Sequence, residues 1–163
     1  MTTAAAPRTA ALSPKILFRI LAVAEAITWS LLIAGMLIAY VFDGGRWGIS
    51  IGGALHGFVF LAFLAGAVLV AVNQRWHVGV VLLVLVSAVV PLATIPVYIW
   101  LDRSGRLNGH WRTEATDDPR DRRPIDRLVR WALRHPVLLG VVVAVAVVAL
   151  FAGLLLGGPP GGE

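Results

Sequence analysis

Four runs of apolar residues divide the chain, at 16–42, 49–72, 78–101 and 136–157, and polar residues gather between them. Each run reaches or exceeds the roughly 20 apolar residues that a helix needs to cross a bilayer core. The first is the longest, about 40 Å at the helical rise, so tilt or protruding ends are expected. Ser13 and Pro14 supply it with an N-cap and a first-turn residue. It carries Glu25 and runs past the length of a secretory leader, so it is read as a span. Asp43, Gly44 and Gly45 end it and turn the chain into Trp47, a residue suited to the membrane interface. Residues 73–77 form the next polar connection. Pro91 and Pro96 predict kinks in the third run, because each removes a backbone donor that neighbouring helices must then replace.

From 103 to 135 the pattern changes. Residues 113–123 read as a solvated loop. After it, Ile125, Leu128, Val129, Ala132 and Leu133 recur at helical spacing opposite Asp126, Arg127, Arg130 and Arg134. That spacing predicts an interfacial amphipathic helix over 124–135, with Arg127, Arg130 and Arg134 as its membrane-surface basic residues. Pro136 opens the fourth run. Residues 1–13 and 158–163 are expected to be disordered tails. The fold class expected is an all-α transmembrane helical bundle of about four spans: a three-helix core over 14–102, the amphipathic helix, and a fourth, C-terminal span.

Composition supports lipid as the main solvent. Of 163 residues, 58% are hydrophobic and 14% charged, and the mean hydropathy of +0.83 is far from the balance of a soluble domain. A multi-pass protein of the cell membrane is expected. The absence of cysteine excludes disulfides, thiolate metal sites and a cysteine nucleophile. The net charge of +5 would suggest nucleic acid, but nine of the fourteen basic residues lie between Arg103 and Arg134, beside two apolar runs. A loop so placed faces anionic headgroups, so the bilayer is the expected partner and nucleic acid is not. If all four runs cross, both termini and Arg75 share one side. Arg46 and the nine loop arginines lie on the other, which predicts a cytoplasmic arginine loop and external termini.

Polar residues inside the apolar runs are the candidates for chemistry. Glu25 lies about 14 Å into the first run, where an ionised carboxylate costs several kcal/mol unless it has a partner or a proton. Thr28 and Trp29 share its helical face. One reading is a proton-coupled or cation-binding carboxylate; the plainer one is a glutamic acid hydrogen-bonded between helices. His56 stands between Gly53 and Gly57, a spacing that admits a close helix neighbour, and a packing role outweighs a metal-binding one. His77, His110 and His135 show no ligand spacing, so no metal is expected. Counting equally from each turn sets Glu25 level with Gly66 and Ser87, and His56 level with Gly35 and Thr94. Two separate polar levels are therefore expected, with no Glu25–His56 pair, and Gly35, Gly53, Gly57 and Gly66 serve helix packing. No catalytic triad, phosphate loop or pair of intramembrane carboxylates is present, so no catalytic residue, cofactor or enzymatic activity is expected.

The order Arg19, Glu25-Ala26, Trp29, Leu31-Leu32, Gly35-Met36 and Tyr40, then Gly53, His56-Gly57 and Phe60, resembles a bacterial membrane family. It is called domain of unknown function 3817, and the likeness covers 16–102, ending after Pro91-x-x-Thr94. The resemblance implies a three-helix membrane core and supplies no activity. Members often carry lysine just before the tyrosine, where this chain has Ala39. The arginine loop and fourth run lie outside the likeness. The function expected is a non-enzymatic structural or accessory membrane subunit, in a homo-oligomer or larger membrane complex. The alternative is a small oligomeric transporter or channel component, proton-coupled through Glu25, and the arginine loop could add recruitment to anionic membrane surfaces in either case.

Overall fold

A computed structural model describes residues 13–156, so the two expected tails lie outside the described residues, apart from Ser13. The described chain is helical throughout: α1 (Pro14–Tyr40), α2 (Trp47–Asn73), α3 (Val78–Val89), α4 (Thr94–Arg103), a 3-10 turn (Pro119–Arg122), α5 (Pro124–Arg134) and α6 (Pro136–Leu156). Helices α1, α2 and α6 are each long and apolar enough to cross a membrane. The Ser13 hydroxyl accepts the Ile16 amide at 3.2 Å and Pro14 opens α1, as the sequence predicts.

Glycines set how α1 and α2 pair. A Cβ at Gly35 would collide with the backbone of Gly48 and lie 2.8 Å from the Ile49 nitrogen. One at Gly52 would lie 2.9 Å from the Leu32 Cα. The backbones therefore touch, which only glycine allows. This corrects the assignment of packing glycines. Gly35, Gly57 and Gly66 do sit against a neighbour, Gly57 beside Phe151 of α6 and Gly66 beneath Leu21, whereas Gly53 has only Leu32 Cδ1 at 3.8 Å. Gly48 and Gly52 make the close contact. The pairing is displaced by about 10 Å, two helical turns, from the one obtained by counting equally from the turn. After Tyr40 the chain rewinds, with the Gly44 amide on the Ile38 carbonyl and positive φ at Asp43 (52°) and Gly45 (80°). Backbone contact, not the turn's midpoint, decides the register.

The third apolar run is not a single kinked helix. It breaks after Val89, and Leu92 takes φ +64° in a tight turn before α4. Pro91 lies in that break, whereas Pro96 sits in the first turn of α4, where a missing N–H costs nothing. The two halves fold back on themselves. Ala88 lies against Trp29, Thr94 against Ala22, Tyr98 stacks on Phe18, and Asp102 pairs with Lys15 at 2.6 Å. Moving from 88 to 102, the chain thus retraces α1 toward its beginning. Residues 106–110 then bond to residues 73–76, immediately before α3 starts. Both ends of the α3–α4 hairpin consequently lie at one end of the bundle. Phe18, Phe63, Val70, Val84, Leu101 and Leu107 form the core between this hairpin and α1–α2. Helix α6 packs on α2, with Phe151 edge-on to Phe58 at 6.0 Å.

Candidate intramembrane site and its ion-paired cap

The displaced register brings together two residues that the sequence reading kept apart. His56 follows Gly48 and Gly52 at four-residue spacing, so all three share the face of α2 that meets α1. Its Nδ1 lies 3.3 Å from the Thr28 hydroxyl and 3.8 Å from Glu25 Oε1. The expected pairs of Glu25 with Ser87 and His56 with Thr94 do not form. Ser87 donates to its own Val84 carbonyl at 2.7 Å, and Thr94 donates to the Ala22 carbonyl at 3.1 Å, tying α4 to α1 one turn before Glu25.

Glu25 is fully buried, and neither carboxylate oxygen has a hydrogen-bond partner. Thr28 spends its one proton on the Glu25 backbone carbonyl at 3.1 Å, so it faces His56 as an acceptor. That assigns the imidazole proton to Nδ1, the nitrogen nearest Glu25. The carboxylate lies 3.8 Å from the same nitrogen, just outside hydrogen-bond distance. Trp29 covers the imidazole with ring centroids 4.3 Å apart and donates to the Ala88 carbonyl at 3.0 Å. Ala88 precedes the break at Pro91, and the indole supplies a donor that the interrupted helix cannot. The site thus sets a buried carboxyl beside an imidazole, two groups that can each bind a proton. The signal was legible as Gly48-x-x-x-Gly52-x-x-x-His56, which lines the histidine up with the contact glycines.

At the end of the bundle where α1 begins, the arginine segment is folded down as a cap. Arg112 bonds the last carbonyls of α2, Val72 at 2.7 Å and Asn73 at 2.6 Å, and Asn73 holds the Arg112 amide and the His110 carbonyl in return. Those carbonyls have no partners within the helix. Asp121, expected in a solvated loop, is buried at 4% exposure and accepts from Arg75, Arg112, Arg130 and Thr116. Several arginines converging on one carboxylate make burial tolerable. Arg130 thus points inward rather than to the membrane surface, Arg134 bonds the Thr113 carbonyl at 2.7 Å, and Arg127 is exposed as expected. The outward side of α5 mixes apolar and basic side chains: Ile125, Leu128 and Trp131 are each more than half exposed, beside Arg127 and Arg134.

Hydrogen bonds from the Thr116 hydroxyl and amide, with Arg75 and Arg130 nearby, hold the Asp121 carboxyl down at about 2. Arg120, bonding through its guanidinium and amide, holds Asp118 well below the usual carboxylate range. A pKa depressed by folding contributes stability that is complete above the unfolded value, about 3.9, and is lost as pH falls through the folded one. Hydrogen-exchange protection of residues 112–122, relative to the unfolded chain at the same pH, should therefore hold from neutrality down to about pH 5 and be lost only between about pH 4 and 2. Loss of protection near neutrality would contradict this account of the cap.

A family described as a domain of unknown function matches residues 16–103, more than half of the chain. The chain belongs to DUF3817. The DUF3817 segment takes in α1 to α4, with Glu25, His56 and the contact glycines, and stops before the cap and α6. A Streptomyces coelicolor protein, SCO5905, named as a membrane protein, is 38% identical over 103 residues. The match covers 63% of this chain but only 12% of that relative's length, so the DUF3817 chain spans a small part of it. No solved structure matches.

Proposed function

We propose that this DUF3817 protein is a non-enzymatic accessory subunit of a larger assembly in the plasma membrane. The observation that carries this reading is the relative in which the matched segment makes up 12% of the length, since there the segment belongs to a far larger polypeptide. Helix α6 offers such an assembly a surface: it packs on α2 and α5 and leaves Val141, Val142, Val145, Val148 and Leu150 more than half exposed, to lipid or to another chain. Purification from native membranes in mild detergent should recover a partner at fixed stoichiometry, seen by mass spectrometry and by crosslinking in intact membranes. Recovery as a monomer alone by both methods would remove the proposal.

Glu25 and His56 favour a second reading, a proton-coupled component of a transporter or channel completed by other copies or subunits. A buried carboxylate without a hydrogen-bond partner, beside an imidazole, is what a proton relay within a membrane uses. Liposomes containing the protein should then leak protons faster than liposomes containing Glu25→Gln. Equal leak at the level of protein-free vesicles rules this second reading out.

A further inference from the structure

Helix α6 rests on α2 and α5 but stands away from α1, and the space left between them is a cavity of about 570 Å³. Its walls include Leu17, Leu21, Ala65, Leu69, Gly140 and Val143, and Trp111 and Thr113 of the cap close one end. The volume is that of a small-molecule site, and the cavity is partly open to its surroundings, so a molecule can enter it from outside the bundle. An empty space of this kind forfeits the dispersion contacts of every side chain around it. Water is a poor occupant, because apolar side chains make up nearly all of the lining and a water needs several polar partners.

The missing side chain at Gly140 widens the cavity. A Cβ placed at Gly140 would meet nothing within 4 Å, so the space there is open rather than filled by a neighbour. The capped end is chemically different from the walls. Arg134 is exposed beside it, and its Nε donates to the Thr113 carbonyl, the only side-chain bond its guanidinium makes among the described residues. Next to it the outward face of α5, with Leu128 and Trp131, is amphipathic in the manner of a helix lying at headgroup depth. An apolar slot at hydrocarbon depth that ends beneath an arginine matches one molecule the bilayer itself supplies. We propose that this cavity binds an acyl chain of an anionic phospholipid whose phosphate is held by Arg134. Basic pockets between membrane helices commonly take such headgroups. The lipid then fills the gap between α6 and α1 and tethers α6 to the DUF3817 core.

The full-length protein, purified in mild detergent and exchanged exhaustively into fresh detergent, should retain phospholipid at a fixed stoichiometry, enriched in anionic species over the source membrane. Gly140→Leu and Ala65→Leu fill the slot from opposite walls, and each should reduce retained phospholipid several-fold while circular dichroism shows unchanged helicity. Two variants are used so that a folding defect in one leaves the other as a test. Arg134→Gln should abolish the anionic enrichment. Wild-type protein free of phospholipid, equal retention by both filled variants, or a stoichiometric isoprenoid in place of phospholipid would each overturn the proposal.

Discussion

A reporter fused ahead of α1 should be read in the cytoplasm, and one fused after α6 outside the cell, so that the two ends of the bundle report opposite sides. Lys15, Arg19, Arg75 and the nine arginines from Arg103 to Arg134 all lie toward the end where α1 begins, because Lys15 pairs with Asp102 and Arg75 with Asp118 and Asp121. Among the described residues that leaves Arg46 alone at the far end. An asymmetry of twelve to one is a strong cytoplasmic signal for the crowded side. The four-crossing count had set Lys15, Arg19 and Arg75 against the arginine loop. That count changes because the α3–α4 hairpin returns to the side it left. The C-terminal side is external in both accounts, so the amino-terminal reporter decides. If both reporters fall on one side, the third segment crosses the membrane and the fold-back is wrong.

The helical class, the amino-terminal cap at Ser13 and Pro14, and the turn at Asp43 to Gly45 were legible because each depends on residues close in sequence. Pro91 was likewise legible as an interruption that leaves carbonyls of the preceding turn in need of donors from a neighbouring helix, and Trp29 supplies one of these at Ala88. The direction of the chain after Pro91 was not legible. Hydropathy is the same for a helix that crosses and for two half-helices that fold back, and only the pairing of Lys15 with Asp102 and of Trp76 with the Arg106 carbonyl separates them. Asp121 escaped for a related reason. Its burial depends on Arg75, which lies 46 residues away and comes near only through the fold-back. The Glu25–His56 pair was missed by a register error alone, since both residues had been singled out.

That register supplies the last prediction, in which two adjacent glycines respond with opposite sign. Gly52→Ala would place a Cβ 2.9 Å from the Leu32 Cα and 3.1 Å from the Leu31 carbonyl. Only backbone is there to yield, so α1 and α2 must separate, and overpacking of this kind costs about 1–3 kcal/mol. Gly35→Ala meets the Gly48 backbone in the same way and should be at least as harmful. At Gly53 the nearest atom is Leu32 Cδ1 at 3.8 Å, an ordinary contact with the end of a mobile side chain. Gly53→Ala then keeps only the gain of removing a helical glycine, and should stabilise by about 0.5–1 kcal/mol. Thermal unfolding in detergent, followed by circular dichroism, measures all three. Separation of the helices should also pull His56 from Glu25, so any proton leak that depends on Glu25 should vanish in Gly52→Ala and persist in Gly53→Ala. Equal effects of the two alanines on stability would mean that the α1–α2 contact does not run through Gly48 and Gly52, and the pairing of Glu25 with His56 would lose its structural basis.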